Sequence, residues 1–261
     1  YNVKIMSVKA AMHNGTLNQA DIAKAVLYAY ENGAEVINMS FGGSACSIAV
    51  QDALATAYTR CVLVASAGNN GENNEPTAQD PIYLPNYPAA LTYVLGVMSV
   101  DDKGVESSFT NWDVTAFNGV EYELYAPGDS IMSTLPDNRY GILSGTSMAA
   151  PVVSAIAAIL RSEFTDRDLY PTKFIYGQLA STSGIQAECV NPDAHGAHNL
   201  PNIVDLHAAL TKLPKPEIHM QDYALFDTVG LPYGDSNNGD GVIDAGEVFA
   251  LGFTLRNRWG M

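Results

Sequence analysis

The sequence predicts an α/β protein in which a parallel β-sheet carries helices on both faces. Short apolar runs at 36–40 and 62–65 are typical of buried strands, and the segments 22–29 and 49–57 repeat apolar residues at helical spacing. Because strands and helices alternate along the chain, we expect parallel crossovers between the strands. In such a sheet a ligand binds in the crevice off the carboxyl ends of the strands.

Composition and charge fit this fold class and exclude two kinds of partner. The 261 residues, of which 47% are hydrophobic and 16% charged, can form one large domain and part of a second. Acidic residues outnumber basic ones 28 to 13, so few cations are available to neutralise phosphates, and we expect no nucleic-acid partner. No run approaches the about 18 apolar residues that a membrane-spanning helix needs, and we expect no membrane span.

The three cysteines leave the disulfide state open. Cys46 and Cys61 flank the predicted helix at 49–57, which at about 1.5 Å per residue holds them too far apart for a disulfide. A bond from Cys189 to either of them is an alternative to three free thiols.

The first predicted elements lie before the sheet strands described above. The alternating apolar residues at 3–8 predict a short buried strand, and His-Asn-Gly at 13–15 predicts the turn that ends it. The helix at 22–29 is expected to close at Gly33, because glycine adopts the left-handed conformation of a helix cap without strain. Beyond residue 160, two weaker helices are expected near 172–180 and 203–213.

An apolar helix follows the segment Ser-Gly-Thr-Ser-Met-Ala-Ala-Pro at 144–151 and continues to Leu160. Gly145 allows a sharp turn, and we expect Pro151 in the first turn of the helix, where proline is tolerated. Ser147 then lies at the helix N-terminus, where unpaired N–H groups and the helix dipole favour negative charge. That position suits a nucleophile in acyl transfer, and a helix N-cap is the alternative.

These eight residues resemble the nucleophile motif of the subtilisin-like serine proteases (subtilases, peptidase family S8), with Ser147 as the nucleophile. The loops at 40–43 and 66–71 precede the motif in the family's order, and the resemblance covers about residues 1–213. It implies that the amide of Asn69 stabilises the oxyanion, with a simple turn residue as the alternative. It also implies that the substrate backbone pairs with two segments, formed by Ser40, Phe41 and Gly42 and by Ser66, Ala67 and Gly68.

The sequence departs from the family at the rest of the catalytic triad. The family order is Asp, His, Ser, and neither the Asp-Thr-Gly nor the His-Gly-Thr-His stretch occurs here. We therefore expect a peptidase domain that is N-terminally incomplete, with both residues in a segment upstream of Tyr1. A smaller departure is Val-Val-Ser-Ala at 152–155, where the family often has His-Val-Ala-Gly. The chain's own histidines are weak alternatives for the base: His13, His195, His198, His207 and His219.

The C-terminal part predicts a second domain. Residues 214–234 read as a linker, and 235–261 as the truncated start of a β-sandwich module with a strand at 249–255. The loop at 235–247 approximates an EF-hand loop and resembles the calcium-containing entry of β-sandwich modules in secreted bacterial enzymes. A solvated acidic turn is the alternative. The predicted ligands of a structural Ca²⁺ are Asp235, Asn238, Asp240, Asp244 and Glu247.

The resemblance implies a secreted, extracellular serine endopeptidase that acts on polypeptide substrates. It would hydrolyse peptide bonds through an acyl-enzyme on Ser147 and would need no cofactor for catalysis. Two alternatives belong to other classes. One is a catalytically inactive binding or assembly module with the same fold, and the other is a non-proteolytic α/β-hydrolase. The absence of a Gly-x-Ser-x-Gly motif argues against the second.

Overall fold

The computed structural model describes residues 3–71, 85–112, 122–189, 201–214, 218–226 and 250–257. The chain divides into two compact units, Tyr1–Lys215 and Pro216–Met261.

A four-stranded parallel sheet forms the centre of the first unit. Its strands lie side by side in sequence order and are β1 (Val36–Met39), β2 (Val62–Ser66), β3 (Leu95–Val100) and β4 (Leu124–Pro127). Every residue of β2 and β3 is buried, although successive side chains of a strand point to opposite faces. Both faces of the sheet are therefore covered, and the predicted α/β class is confirmed.

The helices of the first unit pack on this sheet and on each other. They are α1 (Gln19–Glu31), α2 (Ile48–Tyr58), α3 (Thr146–Glu163), α4 (Thr172–Ser181) and α5 (Leu206–Thr211). Helix α1 packs against α2, and α3 contacts all four strands. Gly33 follows α1 with a φ of +87°, as the sequence predicts. The long contact of α3 with the sheet fixes the helix that carries Ser147.

The C-terminal end of α3 is held by a buried arginine. Arg161 is only 2% exposed, and its guanidinium donates to the carbonyl oxygens of Tyr170 and Arg60 and to the hydroxyl of Thr172 at 3.0–3.1 Å. Burial and the nearby positive charge of Arg167 lower the pKa of Arg161 to about 10. One side chain thus joins the end of α3 to the segments before β2 and at the start of α4.

A β-hairpin leads directly into the 144–151 segment. Its strands are β5 (Ile131–Leu135) and β6 (Arg139–Leu143), and β6 was not predicted from the sequence. The base of the hairpin is closed by two hydrogen bonds. Ser144 Oγ donates to Asp129 Oδ1 at 2.6 Å, and the Gly145 N–H donates to the Gly128 carbonyl at 2.8 Å. The hairpin therefore sets where α3 begins.

The predicted buried strand at 3–8 is wrong. These residues form no strand, and Ile5 is 93% exposed and Val3 48% exposed. An alternating apolar run is buried as a strand only when a neighbouring strand pairs with its backbone. Within the described residues, no strand pairs with 3–8. The turn at 13–15 is confirmed, with Gly15 at a φ of +83° and the Met12 N–H donating to the Thr16 carbonyl.

No disulfide joins the three cysteines of the first unit. Cys46 and Cys189 are partly buried, and Cys61 is fully buried. Burial raises the pKa of Cys46 and of Cys61, so both thiols stay protonated at neutral pH. Of the alternatives that the sequence leaves open, the structure has the one without a disulfide.

The second unit contains an antiparallel pair of strands, β7 (Ile218–Phe226) and β8 (Ala250–Asn257). Strand β8 agrees with the strand predicted at 249–255, whereas β7 lies in the range 214–234 that the sequence assigned to a linker. The predicted calcium loop at 235–247 lies outside the described residues. The β-sandwich module therefore stays a prediction.

Candidate active site

The structure brings Ser40, at the end of β1, against Ser147, at the start of α3. Two hydrogen bonds of opposite direction join them. The hydroxyl of Ser40 donates to the carbonyl oxygen of Ser147 at 2.9 Å, and the hydroxyl of Ser147 donates to the carbonyl oxygen of Ser40 at 3.2 Å. Residues 107 positions apart in sequence thus meet off the carboxyl end of a sheet strand, where a ligand crevice is expected.

The start of α3 differs from the prediction in one respect. The helix begins at Thr146, so Pro151 is its sixth residue and lies in the second turn, not the first. The prediction placed the helix start at the apolar run, but Gly145 already allows the chain to turn two residues before Ser147. Ser147 therefore lies in the first turn, where backbone N–H groups have no partner within the helix.

The side chain of Asn69 is held in one orientation by Thr146. Its Oδ1 accepts hydrogen bonds from both the backbone N–H and the hydroxyl of Thr146, each at 2.8 Å. Because a backbone N–H can only donate, the atom facing it must be the oxygen of the amide and not the nitrogen. Among the described residues, no hydrogen bond occupies Asn69 Nδ2, so this donor is available next to Thr146, the residue that precedes Ser147.

Small residues allow these groups to approach each other closely. A Cβ at Gly145 would lie 3.3 Å from Asn69 Nδ2. At Gly128 a Cβ would come within 2.5 Å of Ser99 Oγ and within 2.8 Å of the Gly145 carbonyl oxygen, so no larger residue fits without a shift of the backbone.

The segment 66–68 is held by backbone and side-chain contacts. The Ala67 N–H donates to the Val97 carbonyl at 2.9 Å, and the Gly68 N–H donates to Thr146 Oγ1 at 3.1 Å. Gly68 has a φ of +111°, which other residues rarely adopt. The side chain of Asn111 packs against Gly68, and its Oδ1 accepts the Asn70 N–H at 2.8 Å.

A second asparagine lies between the two predicted substrate segments. Asn86 Nδ2 donates to the Ser66 carbonyl at 3.1 Å, and it occupies the space that a side chain at Gly42 would fill. The same nitrogen would lie 3.2 Å from a Cβ at Gly68. Sequence reasoning missed both Asn86 and Asn111. The glycines at 42 and 68 were a signal that another side chain approaches, but nothing local identified which one.

No histidine side chain reaches Ser147 among the residues that the structure describes in the first unit. His13 lies in an exposed turn and His207 in α5, and the hydroxyl of Ser147 donates to a backbone carbonyl. His195 and His198 lie outside the described residues, and His219 is on β7 of the second unit. In the same described part of the chain, no group of three or more His, Cys, Asp or Glu side chains could hold a metal ion, and no helix is long and apolar enough to cross a membrane.

This arrangement supplies two of the parts that acyl transfer requires. A serine hydroxyl lies at a helix N-terminus, and an oriented amide donor lies beside it. The chain belongs to the subtilase family, since the peptidase S8 family model, described as the subtilase family, matches residues 1–191. The resemblance seen in the motif at 144–151 is confirmed.

Individual relatives agree with this family. A thermophilic serine proteinase of Bacillus sp. (strain AK1) is 38% identical over 163 residues, which are 62% of this chain and 37% of that protein. Subtilisin DY of Bacillus licheniformis is 37% identical over 164 residues, 62% of this chain and 56% of that protein. The solved structure of the patellamide maturation protease PatA is similar with a TM-score of 0.60 and 30% identity, over 75% of this chain and 68% of that one. The chain thus spans 37% and 56% of the length of these two sequence relatives.

Proposed function

We propose that the protein is a serine endopeptidase that hydrolyses polypeptides through an acyl-enzyme on Ser147. The observation that carries this proposal is the orientation of Asn69, whose oxygen accepts from Thr146 while its N–H₂ group remains a free donor next to Ser147. An inactive binding module would have no physical need for an oriented donor beside a serine hydroxyl. Family membership supports the same conclusion.

In the proposed mechanism, a histidine takes the proton from Ser147 Oγ, and an aspartate orients that histidine. The oxygen attacks the peptide carbonyl carbon, and the peptide nitrogen leaves as an amine after it receives the proton from the histidine. Asn69 Nδ2 and the backbone N–H of Ser147 stabilise the negative charge on the carbonyl oxygen of the tetrahedral intermediate. Water, deprotonated by the same histidine, then releases the acyl group and restores the serine.

We infer that the histidine and the aspartate come from a segment of the same protein upstream of Tyr1. The absence of both family motifs from the sequence supports this, as does the carbonyl partner of the Ser147 hydroxyl. Without a base the hydroxyl stays protonated at neutral pH and is a poor nucleophile.

The first prediction tests this inference. The 261-residue chain should neither cleave a fluorogenic peptide nor react with a fluorophosphonate probe, whereas a form that includes the upstream segment should do both. Both activities should vanish in Ser147→Ala, because that change removes the nucleophilic oxygen. Cleavage by the 261 residues alone that vanishes in Ser147→Ala would mean that the base lies within them, with His13→Ala the first variant to test. A longer form that binds peptides without cleavage or labelling would favour the inactive-module alternative.

The substrate would lie as an added strand along two segments, Ser40–Phe41–Gly42 and Ser66–Ala67–Gly68, with main-chain hydrogen bonds to both. A substrate side chain that enters between them would meet the amide of Asn86. We therefore propose that Asn86 limits the size of the residue accepted there.

The second prediction concerns this limit. Asn86→Gly removes the amide. It should raise kcat/KM for peptides with a large apolar residue before the scissile bond by about tenfold relative to those with alanine, because even one methylene in a hydrophobic pocket is worth about 1–3 kcal/mol. Kinetics with a matched series of peptides measures the ratio. Asn111→Gly, which removes another amide that packs against Gly68, is the control. An unchanged ratio in Asn86→Gly would show that no substrate side chain enters at this place.

The calcium site and the extracellular location also stay proposals. The location is inferred from the family resemblance, and the relatives include one named as an extracellular protease and one named as an intracellular protease.

The third prediction is that Ca²⁺ raises the melting temperature of the protein, since a cation bound by the carboxylates at 235–247 would stabilise the folded state. Asp240→Ala with Glu247→Ala should abolish the rise. An absence of calorimetric binding up to millimolar Ca²⁺ would contradict the site.

A further inference from the structure

The position of Pro151 leaves the carbonyl oxygen of Ser147 without its helical partner. In an α-helix, the carbonyl of residue 147 accepts from the N–H of residue 151, and proline has no N–H. An unpaired carbonyl at the residue that carries the nucleophile would leave the first turn of α3 less well defined. The hydroxyl of Ser40 fills this vacancy at 2.9 Å.

Two more side chains orient the Ser40 hydroxyl. Ser40 Oγ accepts from Asn38 Nδ2 at 2.9 Å, and Asn38 Oδ1 accepts from the hydroxyl of Ser154 at 2.9 Å. Ser154 lies seven residues after Ser147, about two helical turns along the same face of α3. The chain of hydrogen bonds thus starts on α3, crosses to β1 and returns to α3 at the nucleophile.

The carbonyl oxygen of Ser147, at the end of this series of hydrogen bonds, fixes the direction of each bond in it. The carbonyl oxygen of Ser147 can only accept, so the hydroxyl of Ser40 must donate to it. The hydrogen of Ser40 is then committed, and the atom of Asn38 that faces Ser40 Oγ must be the nitrogen. The other amide atom of Asn38 is therefore the oxygen, and the hydroxyl of Ser154 must donate to it. Only one arrangement of hydrogens makes all three of these hydrogen bonds at once.

We propose that Ser40 is a positioning residue, which replaces the N–H that Pro151 lacks and, oriented by Asn38 and Ser154, fixes the backbone of Ser147 for attack. This rests on the proposed endopeptidase function. The role is separate from substrate binding, because the substrate segment uses the backbone of residue 40, whereas positioning uses its side chain. Sequence reasoning had assigned residue 40 to substrate binding alone.

The same geometry determines how the variants should behave. Ser40→Ala removes the donor and keeps the backbone, so kcat should fall by about tenfold with little change in KM, since small misplacements of a reacting group are costly. Ser40→Thr keeps a hydroxyl and should recover most of the loss. Ser154→Ala removes only the hydrogen bond to Asn38, which is the one most distant from Ser147, and should lower kcat by about two- to threefold. The control is Ser162→Ala on the same helix, whose hydroxyl bonds to the Ile159 carbonyl and should be silent.

The decisive experiment is a double-mutant cycle between Ser40→Ala and Pro151→Ala in the form of the protein that includes the upstream segment. Alanine at 151 supplies the missing N–H, so the loss of kcat caused by Ser40→Ala should shrink to about twofold or less in the Pro151→Ala background. An equal loss in both backgrounds, or a loss confined to KM, would overturn the positioning role. The melting temperatures of the four proteins should show the same coupling, which does not require activity.

This second readout separates the two proposals. If the protein with wild-type residues 40 and 151 neither cleaves nor labels through Ser147, the proposed endopeptidase function fails. Coupled melting temperatures would then support a structural link between Ser40 and Pro151 but not positioning for catalysis. If the melting temperatures are uncoupled as well, the Ser40 hydroxyl does not replace the missing N–H, and the inference is wrong.

Discussion

Asn69→Ala is expected to lower kcat by about 10²–10³ with little change in KM, in the form of the protein that cleaves peptides. The reason is that the Nδ2 donor interacts more strongly with the charged oxygen of the transition state than with the neutral carbonyl of the substrate. Loss of the corresponding donor in a subtilisin has an effect of this magnitude, and this chain belongs to the same family.

Alanine at 69 also removes the acceptor of two hydrogen bonds from Thr146, so a second variant is needed. Asn69→Asp keeps an oxygen for Thr146 and replaces the donor with a second oxygen. If the donor matters, kcat in Asn69→Asp should fall at least as far as in Asn69→Ala, because a carboxylate also repels the oxyanion. Recovery of kcat in Asn69→Asp would show instead that Asn69 acts only by holding Thr146.

Arg161→Ala should lower the free energy of unfolding by about 3 kcal/mol. The substitution leaves the buried hydroxyl of Thr172 and two part-buried backbone carbonyls without their donor. Each lost partner of a buried polar group costs about 1–3 kcal/mol. It also opens a cavity, because Arg161 is only 2% exposed. Urea unfolding of the two proteins measures the difference.

The control for this prediction is Arg139→Ala on the hairpin. Its side chain is 68% exposed, and its guanidinium lies 3.8 Å from the carboxylate of Asp137. Exposed ion pairs of this kind contribute little. We expect a change within about 0.5 kcal/mol. If Arg161→Ala is as mild as Arg139→Ala, the carbonyls of Tyr170 and Arg60 must find other donors, and the buried guanidinium would not be what holds the end of α3.

The sheet could be predicted because its strands carry their own signal. Residues 62–65 are apolar without interruption, and a strand buried on both faces needs that pattern irrespective of its neighbours. The segment 3–8 is also apolar, but whether it is buried depends on a paired strand that its own residues do not specify. Strand β6 was missed for the opposite reason. It is largely exposed, and its arginine and glycine interrupt the apolar run that marks a strand buried on both faces.

In the candidate site too, residues in local motifs could be predicted, whereas residues whose contacts are distant in sequence could not. Ser147 and Asn69 were found because each lies in a short motif that a reader of the sequence can match. Asn86 and Asn38 were not, because their contacts reach residues 20 and 116 positions away and an isolated asparagine looks like a turn or surface residue. The sequence placed Pro151 in the first helical turn, because the apolar residues that indicate the helix begin only after Thr146, where the helix starts.

The close packing around Gly128 has a consequence for directed evolution. A Cβ there would overlap with Ser99 on β3 and with Gly145 and Ala149 at the start of α3. Random libraries that include codon 128 would therefore be dominated by unfolded clones. The exposed hairpin tip at 136–139 tolerates diversity without this penalty, although Asp137 and Asn138 require residues that accept a positive φ. Sequence variation in this hairpin is therefore better placed at its tip than at its base.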